Sequence, residues 1–231
     1  MKANRYVIGT LLVITPLLFM GAFTLLQINF EYPDILRQPA SYVLEHFAAG
    51  GRGLVANWYA MLFSALLFIP IAVLLQPYLN YEGAWYLPLA TVFGVMAGAV
   101  QMLGFLRWPF LVPALAAAYR DPAASEAARA ATLVTFQAFN QYAGVGVGEH
   151  LGYLFTTLWS VLAGWAMGAS GRFPRWLGMA GILAAVGIGF GLLEPAGVAW
   201  AGLVNAMAYV LWALWMLVVG LFLLRSKAAA A

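Results

Sequence analysis

Long segments without a single charged residue are the feature that most constrains the fold of this chain. The first runs from Tyr6 to Phe30, and similar stretches cover 53–81 and 83–106. A helix crosses the hydrocarbon core of a bilayer with about 20 apolar residues. Hydrophobic residues make up 65% of the chain and charged residues only 8%, with a mean hydropathy of +0.89, which is too few polar groups for a water-soluble surface. The sequence therefore predicts an all-α integral membrane protein.

The remaining length holds three further spans, which gives a bundle of about six transmembrane helices. We place them in the stretch that ends near Ser170, at 177–193 and at 198–224. The piece RWPFLVPALAAAYR, residues 107–120, is too short to cross a bilayer and contains two prolines. We therefore expect a short interfacial or re-entrant helix between spans three and four, inside an interfacial helical segment 107–142.

A helix start is expected near Pro122. Asp121 can cap the helix, proline is favoured at the first helical position, and Glu126 falls in an early turn. From Pro122 to Ser170 a single helix would measure about 70 Å at 1.5 Å per residue, which is too long for one crossing. The run must therefore bend or divide, and the glycines of the stretch AGVGVG mark the expected place.

The basic residues of the short loops predict the orientation. With six spans the amino end, the GRFPRW turn and the carboxyl end share one side, which holds Lys2, Arg5, Arg172, Arg175, Arg225 and Lys227. Because cytoplasmic loops carry the excess of lysine and arginine, both termini are expected in the cytoplasm. The bias is modest, since the other side holds Arg37, Arg52, Arg107, Arg120 and Arg129. The chain, 1–231, is expected to form one polytopic membrane domain with an outer-side loop at 31–52.

A stripe of small and polar residues recurs at spacings of three and four, at Gln137, Gln141, Gly144, Gly148 and Gly152. Such spacing places them along one helical face. Glycines four apart let helix backbones approach closely in a membrane, where packing drives association. The stripe therefore predicts helix packing, or a backbone surface that a ligand approaches closely. Gly144, Gly148 and Gly152 also offer a seam for a homo-oligomer.

An adjacent glutamate and histidine, Glu149 and His150, interrupt an otherwise apolar stretch. A charged side chain at the centre of a bilayer costs about 2.5 to 3.5 kcal/mol on insertion scales, so Glu149 is expected to pair, to protonate or to face a wet cavity. His150 points about 100° further round the helix. One interpretation is structural, with Glu149 paired to Arg107 to hold two helices together. The other is a binding site.

Four stretches of the chain resemble a known family. They are NFEYPDILRQPA, GFLRWPFLVPALAAAYRDPAAS, FQAFNQYAGVGVGEHLGYLFTTLW and RFPRWLG, in this order. Together they are similar to an uncharacterised bacterial integral-membrane family catalogued as domain of unknown function 4386. The resemblance covers nearly the whole chain and implies a six-helix bundle in the bacterial cytoplasmic (inner) membrane. It implies that Arg107-Trp108 and Gly148-Glu149-His150 are signature positions, and it implies no activity.

The residues themselves favour a binding site in the outer half of the bundle. Arg107 ends the third span, and its planar guanidinium suits carboxylates and phosphates. Glu149 and His150 add an acceptor and a titratable donor. Aromatic walls would come from Trp108, Tyr142, Tyr153 and Trp159. We expect the site to bind, and to transport or sense, a lipid-like or small organic anion, with membrane lipids as partners. The predicted ligand-binding residues are Arg107, Trp108, Gln137, Asn140, Glu149, His150 and Tyr153.

Two other functions stay open at this point. The pairs Glu45-His46 and Glu149-His150 would suit a metal-dependent membrane enzyme using zinc, iron or manganese if the outer loop folds over the bundle. The chain would also suit a structural or accessory subunit of a larger membrane complex, so catalysis and cofactors are left undecided. The absence of cysteine excludes thiolate catalysis and iron–sulfur ligation, and no basic cluster indicates nucleic acid.

Overall fold

The computed structural model describes residues 2–226, with side chains from Arg5 onward, and this part of the chain is built from helices. Short 3₁₀ segments and one π-helical segment connect some of them. The elements in chain order are α1 (Lys2–Phe30), a 3₁₀ turn (Asp34–Arg37), α2 (Ala40–Leu79), α3 (Leu87–Phe110), α4 (Val112–Arg120), α5 (Glu126–Phe139), the π segment (Asn140–Leu151), α6 (Gly152–Ala169), α7 (Arg175–Gly189), a second 3₁₀ segment (Phe190–Ala196) and α8 (Ala201–Arg225).

Five helices of the described chain are long and apolar enough to span a membrane: Arg5–Phe30, Ala40–Leu79, Leu87–Arg120, Arg175–Ala196 and Ala201–Arg225. A sixth, α6, packs against α3 and α7 in the same bundle. Two of its hydroxyl groups form hydrogen bonds inside the bundle. Thr156 Oγ1 accepts from Gln101 at 2.9 Å, and Ser160 Oγ accepts from Trp212 at 2.7 Å. The predicted all-α membrane fold with about six helices is confirmed.

Two contacts place both ends of the described chain together. The Arg5 guanidinium donates to the carbonyl of Ser226, and Arg172 donates to the carbonyl of Pro77 at 3.0 Å. The start of α1, the end of α8 and the turn before α7 therefore share one end of the bundle, as an even number of crossings requires. Lys227, assigned to the same side, lies outside the described residues. We call the opposite end, where α1 finishes and α8 begins, the site end.

The loop predicted at 31–52 is largely helical, which corrects the sequence analysis. After the short 3₁₀ turn, α2 already begins at Ala40. Its first turns are amphipathic, and their buried side chains are Ala40, Val43, Leu44 and Phe47. Burying this apolar face against the bundle favours a helix over an exposed loop. At Gly51 the backbone turns through φ +56°, a conformation open to glycine, and α2 changes direction there before it crosses.

The predicted interfacial segment 107–142 divides into the end of α3, a short α4 packed on α2, and α5 packed on α4. The start predicted near Pro122 is displaced to Glu126, because Ser125 Oγ accepts from the backbone N–H of Ala128 at 3.2 Å and caps α5. Asp121, the expected cap, accepts instead from the N–H two residues further on, at 2.9 Å, and closes a turn.

The long run after α5 contains no loop. It was expected to bend or divide at the glycines of AGVGVG, and there the chain changes helix type, from α to π and back to α. The expected position is therefore right, and the kind of irregularity is different. Hydrogen bonds in a π-helix reach five residues along the chain, which widens the helix locally.

Two apolar clusters hold the bundle together. The larger is centred on Trp159, Trp212 and Trp215. The second lies towards the site end and is built on Trp58 and Trp108, whose rings stack with centroids 4.5 Å apart and planes at 8°. Phe30 meets the Trp108 ring edge-on at 5.2 Å. This second cluster anchors the end of α3, and with it the neighbouring Arg107.

The close approach of α3 to the π segment makes Gly104 sensitive to any side chain. A Cβ at Gly104 would lie 2.6 Å from the Cα of Gly148, and a backbone atom cannot rotate aside. We expect Gly104→Ala to lower the free energy of unfolding by about 1–3 kcal/mol, the usual range for overpacking, and to lower the Tm in detergent. Gly21→Ala in α1, where nothing lies within 4 Å of the added Cβ, is the matched control and should leave the Tm unchanged or raise it. Equal effects of the two substitutions would contradict this packing.

Candidate functional site

A cavity of about 770 Å³ opens at the site end of the bundle. Its walls come from α1, α3, α8, the π segment and the first 3₁₀ turn, so segments far apart in sequence meet there. The volume lies within the range of about 300–1,000 Å³ that is usual for small-molecule sites. Most of the lining is apolar. Among the residues of the described chain that line it, the charged ones are Asp34, Arg37, Arg107, Glu149 and Glu194.

Arg107 is the buried cation of the cavity and exposes 8% of its surface. Its guanidinium donates to the carbonyl of Gly104 at 2.6 Å and to Oδ1 of Asn140 at 3.1 Å. Its Cζ lies 4.9 Å from the centroid of the Trp108 ring, which adds a cation–π contact. Its Nε has no hydrogen-bond partner. The side chain is thus fixed in position with donor capacity to spare.

Gly144 provides the space that Arg107 occupies. A Cβ at Gly144 would lie 2.6 Å from Nη2 and 2.7 Å from Cζ of Arg107. One turn further, Gly148 packs on Gly104, and Gly152 lies against Gln101. The predicted glycine face is therefore real, but in this chain it is turned towards α3. We predicted these glycines as an interface for a homo-oligomer, but within this chain they pack against α3.

Glu149 pairs with Arg37, a residue that the sequence analysis did not place in the site. Arg37 Nη2 lies 3.6 Å from Glu149 Oε2 and 2.8 Å from Glu194 Oε2. This ion triad joins the 3₁₀ turn, the π segment and the second 3₁₀ segment. Burial disfavours the charge of Arg37, but the two carboxylates outweigh that effect and raise the pKa of Arg37 above its ordinary value. Arg37 therefore stays protonated.

The expected ion pair between Arg107 and Glu149 is not formed. No carboxylate of the described chain comes within 4.0 Å of the Arg107 nitrogens, whereas both carboxylates of the triad are engaged by Arg37. The structural interpretation of Glu149, as the partner that holds Arg107, is therefore wrong. In the described chain, the direct partners of the buried Arg107 guanidinium are neutral acceptors and one aromatic ring, while Glu149 acts on it only at longer range.

Four of the seven predicted ligand-binding residues line the cavity: Arg107, Trp108, Glu149 and Tyr153. Asn140 also belongs to the site, through its hydrogen bond to Arg107. Gln137 and His150 do not line the cavity. His150 is directed away from it because consecutive residues of a helix point in divergent directions.

Two of the aromatic walls that we expected lie elsewhere. Tyr142 is exposed on the surface, and Trp159 is buried in the larger apolar cluster. Tyr32 and Tyr209 take their place in the lining. The sequence held one signal for the missed residues: Arg37 and Glu194 are charges that the predicted topology already put on the same side as Glu149. Their pairing across 157 positions has no local signature.

The metal site considered from Glu45, His46, Glu149 and His150 does not assemble. His46 Nε2 lies 3.4 Å from Glu31, and its ring stacks on Tyr42 at a centroid distance of 5.0 Å. Across residues 2–226, no three histidine or acidic side chains converge to hold a metal ion.

The ion triad gives a direct test of this geometry through a double-mutant cycle with Arg37→Gln and Glu194→Gln. Because Arg37 is half exposed, we expect a modest coupling in the free energy of unfolding, about 0.2–1 kcal/mol, measured in detergent at low salt and reduced by added salt. Arg37→Gln combined with Glu126→Gln, an exposed glutamate at the start of α5, is the control cycle and should show no coupling. A coupling of equal size in both cycles would mean that the triad does not form.

The comparison with known families agrees with this architecture. The profile of the Domain of unknown function (DUF4386) matches residues 7–226, a range that includes every wall of the cavity. No curated protein and no solved structure matches the chain. Since the match spans nearly all of the sequence, the chain belongs to the DUF4386 family of domains of unknown function.

Proposed function

We propose that this protein binds an amphipathic organic anion, with its charged group at Arg107 and its apolar part along the cavity. The observation that carries the proposal is the state of Arg107. It is buried, lines an open cavity and keeps an unpartnered Nε. No carboxylate of the described chain lies within 4.0 Å of its nitrogens, while Arg37 engages Glu149 and Glu194.

The energetics favour a ligand at this position. Removing a guanidinium from water costs several kcal/mol unless good partners replace the water. Arg107 has two hydrogen bonds to neutral oxygens, which leaves most of its five N–H groups for another partner. A carboxylate or phosphate accepts two parallel hydrogen bonds from a guanidinium, which is the geometry that arginine provides best.

Charge alone does not select an anion, because the lining holds two arginines and three acids. The distribution of ion pairs among these residues favours an anion. Glu149 and Glu194 both lie within 4.0 Å of Arg37, whereas no carboxylate of the described chain lies that close to Arg107. The third acid of the lining, Asp34, is exposed. The remaining lining is mostly aromatic and aliphatic, including Phe23, Trp108 and Tyr209, and would cover a hydrocarbon part.

The test uses alkyl probes that differ in the charge of the head. Dodecyl phosphate should raise the Tm of the protein purified in a neutral maltoside detergent, and dodecyltrimethylammonium should not. Arg107→Gln should weaken dodecyl phosphate binding by roughly 10- to 100-fold, since a hydrogen bond to a charged group contributes about 1.5–3 kcal/mol. Arg120→Gln, which removes an exposed arginine outside the cavity, is the control and should bind like the unchanged protein. Stabilisation that is equal in all three proteins, or stronger with the cationic probe, would refute the proposal.

A second pair of variants keeps the charge and changes only its position. Gly144→Ala would displace the Arg107 guanidinium, whereas a Cβ at Gly146 meets its nearest atom at an ordinary 3.6 Å. We expect Gly144→Ala to lose most of the dodecyl phosphate effect and Gly146→Ala to retain it. This pair separates loss of the site from a general change in the π segment, because both substitutions add one methyl group to the same segment.

We also propose that the site end faces the outside of a bacterial inner membrane and that both termini are cytoplasmic. The support is the basic set around the shared end of α1 and α8, which includes Arg5, Arg172 and Arg225. The absence of cysteine makes the chain a clean background for labelling. In intact cells a membrane-impermeant maleimide should label Asp34→Cys at the site end and should not label Gly171→Cys before α7. The reverse pattern would invert the proposed orientation.

A further inference from the structure

The apolar side of the cavity reaches the surface that faces the membrane. Leu203 and Met207 of α8 line the cavity and still expose 67% and 60% of their surfaces. A side chain in the wall of a closed cavity would be covered from behind and would expose far less. These two residues therefore form a rim, at which the cavity opens sideways along α8.

The opening lies between α1 and α8. Towards the termini the two helices touch: a Cβ at Gly9 would lie 2.8 Å from Leu224, and one at Gly220 would lie 2.8 Å from Leu12. Further along, the rings of Phe19 and Tyr209 are 6.4 Å apart. From this point towards the site end, both helices line the cavity, α1 with Phe23 and Gln27 and α8 with Leu203 and Met207. The two helices thus close one half of the bundle and leave a gap in the other.

The depth of this gap matches one half of a bilayer. On α8 the lining runs from Gly202 to Val210, and the helix begins at Ala201. These residues fall within about 15 Å of the helix start, at 1.5 Å per residue. The hydrocarbon core of a bilayer is about 30 Å thick, so the gap extends over about one leaflet.

The ion triad bridges the polar side of the cavity. Arg37 connects Glu149 of the π segment to Glu194 of the second 3₁₀ segment, and all three side chains line the cavity. The triad therefore lies across the site end, where a water-soluble ligand would have to enter. No ion pair of the described residues joins α1 to α8, and the rim on α8, at Leu203 and Met207, is apolar.

From these observations we infer that the ligand is an acyl-chain lipid anion that enters from one leaflet, between α1 and α8. Its head binds Arg107, and its chain lies against Leu203 and Met207. This inference rests on the proposed function and makes it more specific, since it assigns the hydrophobic part to a lipid chain and the route to the membrane.

The experiment uses hexadecyl phosphate with a diazirine at the end of its chain, in vesicles of phosphatidylcholine containing the purified protein. After illumination, labelled peptides are identified by mass spectrometry. We expect label on 19–23 and 203–210, reduced at least fivefold in Arg107→Gln and unchanged in Arg120→Gln. Leu183 on α7, an exposed side chain outside the cavity, reports ordinary annular lipid and should show no dependence on Arg107.

A matched pair of tryptophan variants tests the route. Met207→Trp would narrow the gap, whereas Leu211→Trp adds the same ring to an exposed position of α8 outside the cavity lining. The first should reduce the Arg107-dependent label and the second should not. Equal labelling in both variants would overturn entry between these helices.

Competition distinguishes failure of this inference from failure of the proposed function. Each methylene that becomes buried contributes roughly fourfold in affinity. Burial of only about three or four more methylenes is therefore enough for unlabelled hexadecyl phosphate to compete on the order of a hundredfold better than butyl phosphate. If butyl phosphate competes equally well and binding still requires Arg107, the ligand is a water-soluble anion and only the lipid inference fails. If neither phosphate shows any dependence on Arg107, both proposals fail.

Discussion

The site depends on one contact, in which a buried guanidinium packs directly against the backbone of a neighbouring helix. Arg107 lies at the end of α3, held by the aromatic cluster around Trp108, and its fork rests where Gly144 has no side chain. The same approach brings Gly104 against Gly148 one turn away. Two neutral acceptors and an aromatic ring contact this cation inside the apolar bundle, and Arg107 also lines the cavity.

The two arginines of the cavity differ in burial and in their charged partners. Arg37 is half exposed and holds two acids, and in doing so it joins two 3₁₀ segments to the π segment. Arg107 is buried and holds none. Partial burial with paired charges favours a structural role, whereas burial with unpaired charge is expensive unless a partner arrives. This contrast is the physical basis for our proposals that Arg107 binds the ligand and that Arg37 bridges the site end.

The π segment explains how one stretch of chain serves both arginines. Asn140 and Gly144 contact Arg107, and Glu149 contacts Arg37. A π-helix is rare and is frequently found at functional sites. Here it takes the place of the bend or division that was predicted for the long run from α5 to α6, so this part of the site is built on continuous helix. The rigidity of that support suits a binding site with fixed donors.

The sequence by itself determined the class of fold, the approximate number of helices and the sharing of one end by both ends of the described chain. It also predicted the meeting of Arg107, Trp108 and Glu149, which line one cavity. Uncharged runs and rare intramembrane charges carry this information locally, because burial in lipid constrains each segment separately. The tertiary structure alone decided that Glu149 pairs with Arg37 rather than Arg107, that the glycine face is turned towards α3, and that His150 lies outside the cavity. The pairing joins residues far apart in sequence, and the facing of a helix depends on which neighbour packs against it. Neither the ion pairing nor the facing of a helix can be predicted from one segment alone, because both depend on how the helices pack together.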